Sequence, residues 1–153
     1  MLDKVARSLH MLMGKYQNSI DAKARMIIPA KLRDEFHGVC VLTTGMDKCL
    51  YVYPMKEWED FVARMKDIPR TDEAARAFLR NFFANAITCE IDRQGRVTIP
   101  QDHRDYANIS KDLVTVGNFE KLEVWAKEEW DSNADKTELS PSEVAQKMVE
   151  YGI

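Results

Sequence analysis

At 153 residues the chain fits one ordinary domain or two very small intertwined ones. Its 45% apolar and 31% charged residues are those of a soluble globular protein, and no apolar run approaches the ~20 residues of a membrane span. A net charge of −3 argues against a general polyanion binder, so any nucleic-acid face must come from how charge is distributed.

In chain order, residues 16–20 and 26–28 read as short strands flanking the turn Asp21-Ala-Lys-Ala-Arg25. Pro29 suits the first position of a short helix over 30–36, where its missing N–H has no bond to lose. Residues 39–44 form a strand, Gly45-Met46-Asp47-Lys48 a hairpin turn, and 49–53 the return strand. Pro54 opens a second helix with Trp58, Phe61, Val62 and Met65 at helical spacing, ending at Ile68-Pro69. Residues 71–85 are helical, with Ala74, Phe78, Leu79, Phe82 and Phe83 on one side. Strands at 88–91 and 97–99 flank Asp92-Arg-Gln-Gly-Arg96, and Pro100 opens another short helix. A hairpin of 113–116 and 121–125 turns at Gly117-Asn118, and Trp130 lies on the helix after it. Residues 131–139 are expected to be a mobile linker. Ser140-Pro141-Ser142-Glu143 is a capping box, and Val144, Met148 and Tyr151 give the last helix a short apolar stripe.

The second half of this plan repeats the first. At an offset of 71, Ile20/Ile91, Asp21/Asp92, Arg25/Arg96, Ile28/Ile99, Pro29/Pro100, Arg33/Arg104 and Asp34/Asp105 are identical. The echo resumes at an offset of 72 with Gly45/Gly117, Leu50/Leu122, Val52/Val124, Glu57/Glu129 and Trp58/Trp130. A unit of about 70 residues is marginal alone, so two copies are expected to share one core. Trp58 and Trp130 read as anchors beneath equivalent helices.

Charge is uneven. Residues 15–33 hold five basic side chains against one acid, whereas residues 120–153 hold nine acids against four lysines. A basic first module and an acidic tail are compatible with nucleic-acid binding on one face. Cys40, Cys49 and Cys89 lack C-x-x-C spacing and sit in strand-like runs, so buried reduced thiols are expected.

The twice-used Asp-x-x-x-Arg turn carries the chemistry. An aspartate at a strand end accepts backbone N–H bonds from residues two or three ahead, and Gly95 supplies the positive φ such a turn often needs. The arginine either pairs with an aspartate or projects a planar fork that suits phosphate and guanine O6/N7. For one copy an intra-turn ion pair is the plainer reading. Two copies, with Lys23 and Arg93 between, favour a composite binding surface.

These residues carry a family resemblance. The run Met11-Leu-Met-Gly-Lys-Tyr-Gln-Asn-Ser-Ile-Asp-Ala-Lys-Ala-Arg-Met-Ile-Ile-Pro-Ala-Lys-Leu-Arg resembles the start of the MraZ family of bacterial transcription regulators, as do Tyr53-Pro54-Met55-x-x-Trp58 and Asp92-Arg-Gln-Gly-Arg96. The resemblance covers residues 11–153 and implies an α+β fold. Two AbrB-like swapped-hairpin modules would interleave into a small pseudo-symmetric β-barrel with flanking helices. The expected division is an N-terminal extension at 1–10, disordered or weakly docked, then modules at 11–69 and 88–132. A connecting helix at 70–87 joins them, and a linker and C-terminal helix follow at 133–153.

The family's function implies a repressor of the division and cell-wall gene cluster, including its own operon. Its partners would be double-stranded DNA at G-rich promoter direct repeats and further copies of itself in a ring such as an octamer. Carried over by position, the DNA contacts fall on Lys23 and Arg25, with Arg93 and Arg96 in the corresponding places of the second turn. Asp21, Asp92 and Gly95 shape the turns. No catalytic residue, metal or cofactor is expected, nor any membrane association, and the location would be the cytoplasm and nucleoid. One departure is Ala24, where the family usually has glycine, as the second turn does.

Two other readings compete. For an enzyme, His10, His37 and His103 are isolated, there is no H-x-x-x-H, C-x-x-C or phosphate-cradling loop, and each aspartate has its own arginine. His103 is expected at the surface or half-buried. An AbrB-like protein-interaction module, with DNA binding secondary or lost, would use the acidic tail and its apolar stripe; packing on the same module or the next subunit is the plainer use of that stripe.

Overall fold

The computed structural model describes residues 11–153, so the expectation for residues 1–10 lies outside the described residues. Among the described residues, eight strands and five α-helices are arranged as an α+β fold. The first repeat supplies β1 (Leu12–Ser19), β2 (Arg25–Ile27), a 3-10 helix (Ala30–Glu35), β3 (Val39–Thr44), β4 (Leu50–Pro54), α1 (Met55–Met65) and α2 (Glu73–Ala84). The second supplies β5 (Ile87–Glu90), β6 (Arg96–Thr98), α3 (Gln101–Tyr106), β7 (Asp112–Phe119), β8 (Lys121–Ala126), α4 (Lys127–Asn133) and α5 (Pro141–Glu150).

Every strand pairs across the repeat boundary. The antiparallel sheet runs β1-β7-β8-β4-β3-β5, an order that maps onto itself when the repeats are exchanged. β1 of the first repeat pairs with β7 of the second, and β5 of the second with β3 of the first. β4 and β8 meet in the middle, while β2 and β6 form a separate two-stranded ribbon.

The expected closed barrel is not found among the described residues: β1 and β5 remain the sheet's edges. The reason is local. β2 and β6 are three residues long and run into Pro29 and Pro100, which carry no N–H to continue a ladder. The ribbon therefore lies against the sheet as a cap, burying Met26, Ile28, Val97 and Ile99 with Leu42, Val52, Leu122 and Val124.

The opposite sheet face receives the alternate side chains Val41, Tyr51, Tyr53, Val114 and Trp125, which pack beneath α1, α2 and α4. Trp58 on α1 and Trp130 on α4 sit in this layer as equivalent anchors. Phe82 is its hub, 4% exposed and in ring contact with Tyr51, Trp58, Phe61, Phe78 and Phe83. Thr43 Oγ1 donates to the Phe82 carbonyl at 2.8 Å, tying β3 to the end of α2.

Several local expectations shift. The second hairpin does not turn at Gly117-Asn118: β7 runs through both, and the two-residue turn is Phe119-Glu120, with Phe119 at φ 62°. Gly117 serves a different purpose, because a Cβ there would collide with the β1 backbone at Leu12 and Met13. α4 continues to Asn133, into the segment expected to be a linker. His103 is buried, its Nε2 2.7 Å from the Asn85 carbonyl, where a half-exposed position was expected. Cys40 and Cys49 are buried and Cys89 half-buried, all unbridged.

Phe82→Ala removes the ring on which α1 and α2 meet the sheet. We expect a loss of about 3–5 kcal/mol of unfolding free energy, the usual cost of emptying a buried aromatic site, measured by urea denaturation.

Candidate nucleic-acid interface

Each Asp-x-x-x-Arg turn closes by the same bonds. Asp21 Oδ1 accepts the backbone N–H of Lys23 and of Arg25, both at 2.9 Å, and Asp21 Oδ2 accepts Arg25 Nε at 2.8 Å. Asp92 Oδ1 accepts the N–H of Gln94 at 2.9 Å and of Arg96 at 2.8 Å, and its Oδ2 accepts Arg96 Nε at 2.7 Å. The acceptor reaches two and four residues ahead, where the sequence suggested two or three. Ala24 and Gly95 occupy the left-handed position with φ 60° and 81°.

The turns also close on each other. Ile28 N donates to the Gly95 carbonyl and Ile99 N to the Ala24 carbonyl, both at 2.8 Å. Arg33 and Arg104, not singled out from the sequence as site residues, brace this junction through Nε bonds to the carbonyls of Ile28 (3.1 Å) and Ile99 (3.0 Å). Their identity at equivalent repeat positions was the available signal. The Arg33 guanidinium lies so close to Gly95 that a Cβ there would collide with it.

Strand alternation then sets the outward face of the ribbon. Met26 and Val97 point into the core, so Arg25, Ile27, Arg96 and Thr98 share the other face, with Arg25 opposite Thr98 and Ile27 opposite Arg96. A cleft of about 510 Å³ beside it is lined by Arg25, Arg96, Asp92, Glu90 and Thr98. Both arginines use Nε for their ion pairs, and no bond from their terminal nitrogens occurs among the described residues. A side-on pair of this kind fixes the direction of the guanidinium while leaving its two-nitrogen fork for a further acceptor.

Lys23 and Arg93 are exposed on the turns, but they are not equivalents. The backbone of Lys23 matches that of Gln94, and Arg93 stands where the first turn has Ala22. The two halves of the ribbon thus share a scaffold and differ in its decoration.

The carboxyls of Asp21 and Asp92 are held below the ordinary carboxylate range. The backbone N–H of Arg25 or Arg96 is the largest cause, opposed by desolvation and aided by the same arginine's side chain. No shift of this kind marks an acid-base catalyst; both act to keep the turn acceptors ionised.

The chain matches the model of the MraZ protein family, described as antitoxin-like, twice, over residues 11–81 and 82–151. A protein of Thermoanaerobacter sp. (strain X514), named "Transcriptional regulator MraZ", is 46% identical over 143 residues, 94% of this chain and 100% of the relative. Proteins of the same name from Caldanaerobacter subterraneus subsp. tengcongensis and Clostridium tetani are each 43% identical over the same shares.

Two outcomes follow from the turn geometry. Ala24→Gly relieves a left-handed alanine and should raise stability by about 1 kcal/mol, whereas Gly95→Ala should lower it by more, because strain of that size adds to displacement of Arg33; paired thermal melts give the comparison. In acid, a carboxylate whose pKa falls on folding stabilises its turn fully above the unfolded value and loses that contribution as pH drops through the folded one. The Lys23 and Gln94 amide resonances should therefore move together with Asp21 and Asp92 protonation, at a pH below that of free aspartate.

Proposed function

The chain belongs to the MraZ family, and on that premise we propose that it is a DNA-binding transcriptional regulator that reads promoter DNA with the β2–β6 ribbon and its two turns. It acts as a repressor of the division and cell-wall gene cluster, its own operon included, by binding G-rich direct repeats as a ring-shaped homo-oligomer. The family is one of regulators rather than enzymes. The two modules are swapped hairpins of the AbrB type over 11–69 and 88–132, a reading supported by the pairing of every strand across the repeats. Among the described residues no helix is long and apolar enough to cross a membrane, and a promoter-bound repressor works in the cytoplasm at the nucleoid.

One observation carries the DNA reading: two arginines, aimed by side-on aspartate pairs, stand on the outer face of a two-stranded ribbon with their forks unbonded among the described residues. A ribbon of that width fits the major groove of B-DNA, where an arginine fork matches guanine O6 and N7. Arg25 is assigned to base reading, and Lys23, Arg93 and Arg96 to phosphate or base contacts. Asp21, Asp92 and Gly95 hold the turns. One chain offers few cations for phosphate, so useful affinity comes from several subunits on adjacent repeats.

The test is an electrophoretic shift with DNA from just upstream of the gene. Arg25→Ala should weaken specific binding roughly 5- to 150-fold per site, the 1–3 kcal/mol of one bidentate base contact, with oligomer mass unchanged. Absence of wild-type binding at low salt would move the assignment to a protein-interaction module.

A further inference from the structure

The two repeats end in equivalent helices with different surroundings. In the first, α2 folds back so that Phe82, with Phe78 stacked on it, closes on Trp58 and Phe61 of α1. In the second, among the described residues, α5 belongs to neither buried cluster. Met148 and Val149 on it, and Tyr151 and Ile153 just beyond, are 37%, 67%, 79% and 85% exposed. Yet α5 is well made: Ser140 and Glu143 form a full capping box, and Pro141 fits the first turn. Val144 is half-buried, but a capped amphipathic helix whose remaining large apolar residues stay in water is a helix without its partner surface.

A complementary surface lies on the first repeat. Between α1 and α2 is a cleft of about 560 Å³ with Val62, Met65, Leu79 and Phe83 as its apolar lining. Lys66, Arg70 and Arg80 stand around it, and among the described residues none of the three has a carboxylate partner. Arg76 Nη1 donates to the carbonyls of Arg70 and Thr71, each at 3.1 Å, which braces the cationic rim. Residues 128–153 carry seven acids against two lysines, opposite in sign to that rim.

We propose that α5 of one copy docks into the α1–α2 cleft of a second copy, its apolar residues against Val62, Met65, Leu79 and Phe83 and its flanking acids against Lys66, Arg70 and Arg80. The proposal rests on the homo-oligomer reading and names the contact that builds it. Among the described residues, α5 contributes no side chain to the lining of its own cleft, so both surfaces are open on the same molecule. The two surfaces differ, which makes the contact head-to-tail: every copy gives a helix to one neighbour and receives one from the other.

A charge exchange in the full chain tests this. One variant carries Lys66→Glu and Arg80→Glu; the other carries Glu138→Lys and Glu150→Lys, which spares Glu143 for the cap. By sedimentation each variant alone should fall toward the 17.7 kDa monomer while keeping wild-type circular dichroism. Mixed in equal amounts they should regain the wild-type mass, since each variant's cleft then meets a helix of opposite sign. Variants that retain the wild-type mass, or a mixture that fails to recover, overturn the docking and leave the oligomer reading intact. A wild-type chain that is monomeric at tens of micromolar overturns both.

Discussion

The fold depends on a reciprocal pair of backbone hydrogen bonds, Ile28 N to the Gly95 carbonyl and Ile99 N to the Ala24 carbonyl. Ile28 and Ile99 are fully buried, so in a lone repeat each N–H would lose its acceptor in an apolar setting. The side chains obey the same constraint. Met26 and Ile28 of one repeat and Val97 and Ile99 of the other fill one cluster, and neither set could close a core by itself. Each turn closes its own Asp–Arg bonds but is seated in the ribbon by the other repeat, so the proposed DNA face is a property of the pair.

That dependence restricts where the copies could diverge. The aspartate, the arginine and the bracing Arg33 and Arg104 are the same in both, because each makes a bond that the common backbone requires. The outward positions are freer. Ile27, 40% exposed, stands where the second strand has Thr98, Lys23 where it has Gln94, and Ala22 where it has Arg93. The exposed branched apolar side chain of Ile27 and the hydroxyl of Thr98 thus give the two edges of the ribbon different chemistry.

The turns were legible in the sequence because their chemistry is local. An aspartate, a left-handed residue and an arginine within five positions specify the bonds that form, and their recurrence with Pro29 and Pro100 located both ribbon strands. Which strand pairs with which was not legible from repeat identities, since Ile20 and Ile91 look alike whether β1 pairs with β3 or β7. The family resemblance supplied interleaving, but its closed barrel fails at the two prolines. Gly117 was misread for a related reason. Glycine permits both a turn and a close backbone approach, and only the position of β1 distinguishes them. The buried place of His103 was likewise set by Asn85, eighteen residues away, on a chain segment its own helix does not predict.

A face with unlike halves has a direction, and this links the proposed assembly to the proposed operator. A two-fold dimer presents its faces in opposite senses and suits a palindrome. Docking of α5 into a neighbour's α1–α2 cleft relates copies by one repeated rotation, so each Ile27 edge leads and each Thr98 edge follows in the same order around the assembly. Subunits arranged in that way match sites that repeat without inversion. Whether the series closes as a ring or continues as a filament is set by the rotation per contact, but the direction is not. On the proposed reading, a heterologous contact thus favours operators that repeat without inversion: an inverted site would meet the wrong edge of its ribbon, and the assembly would lose that subunit's share of the avidity.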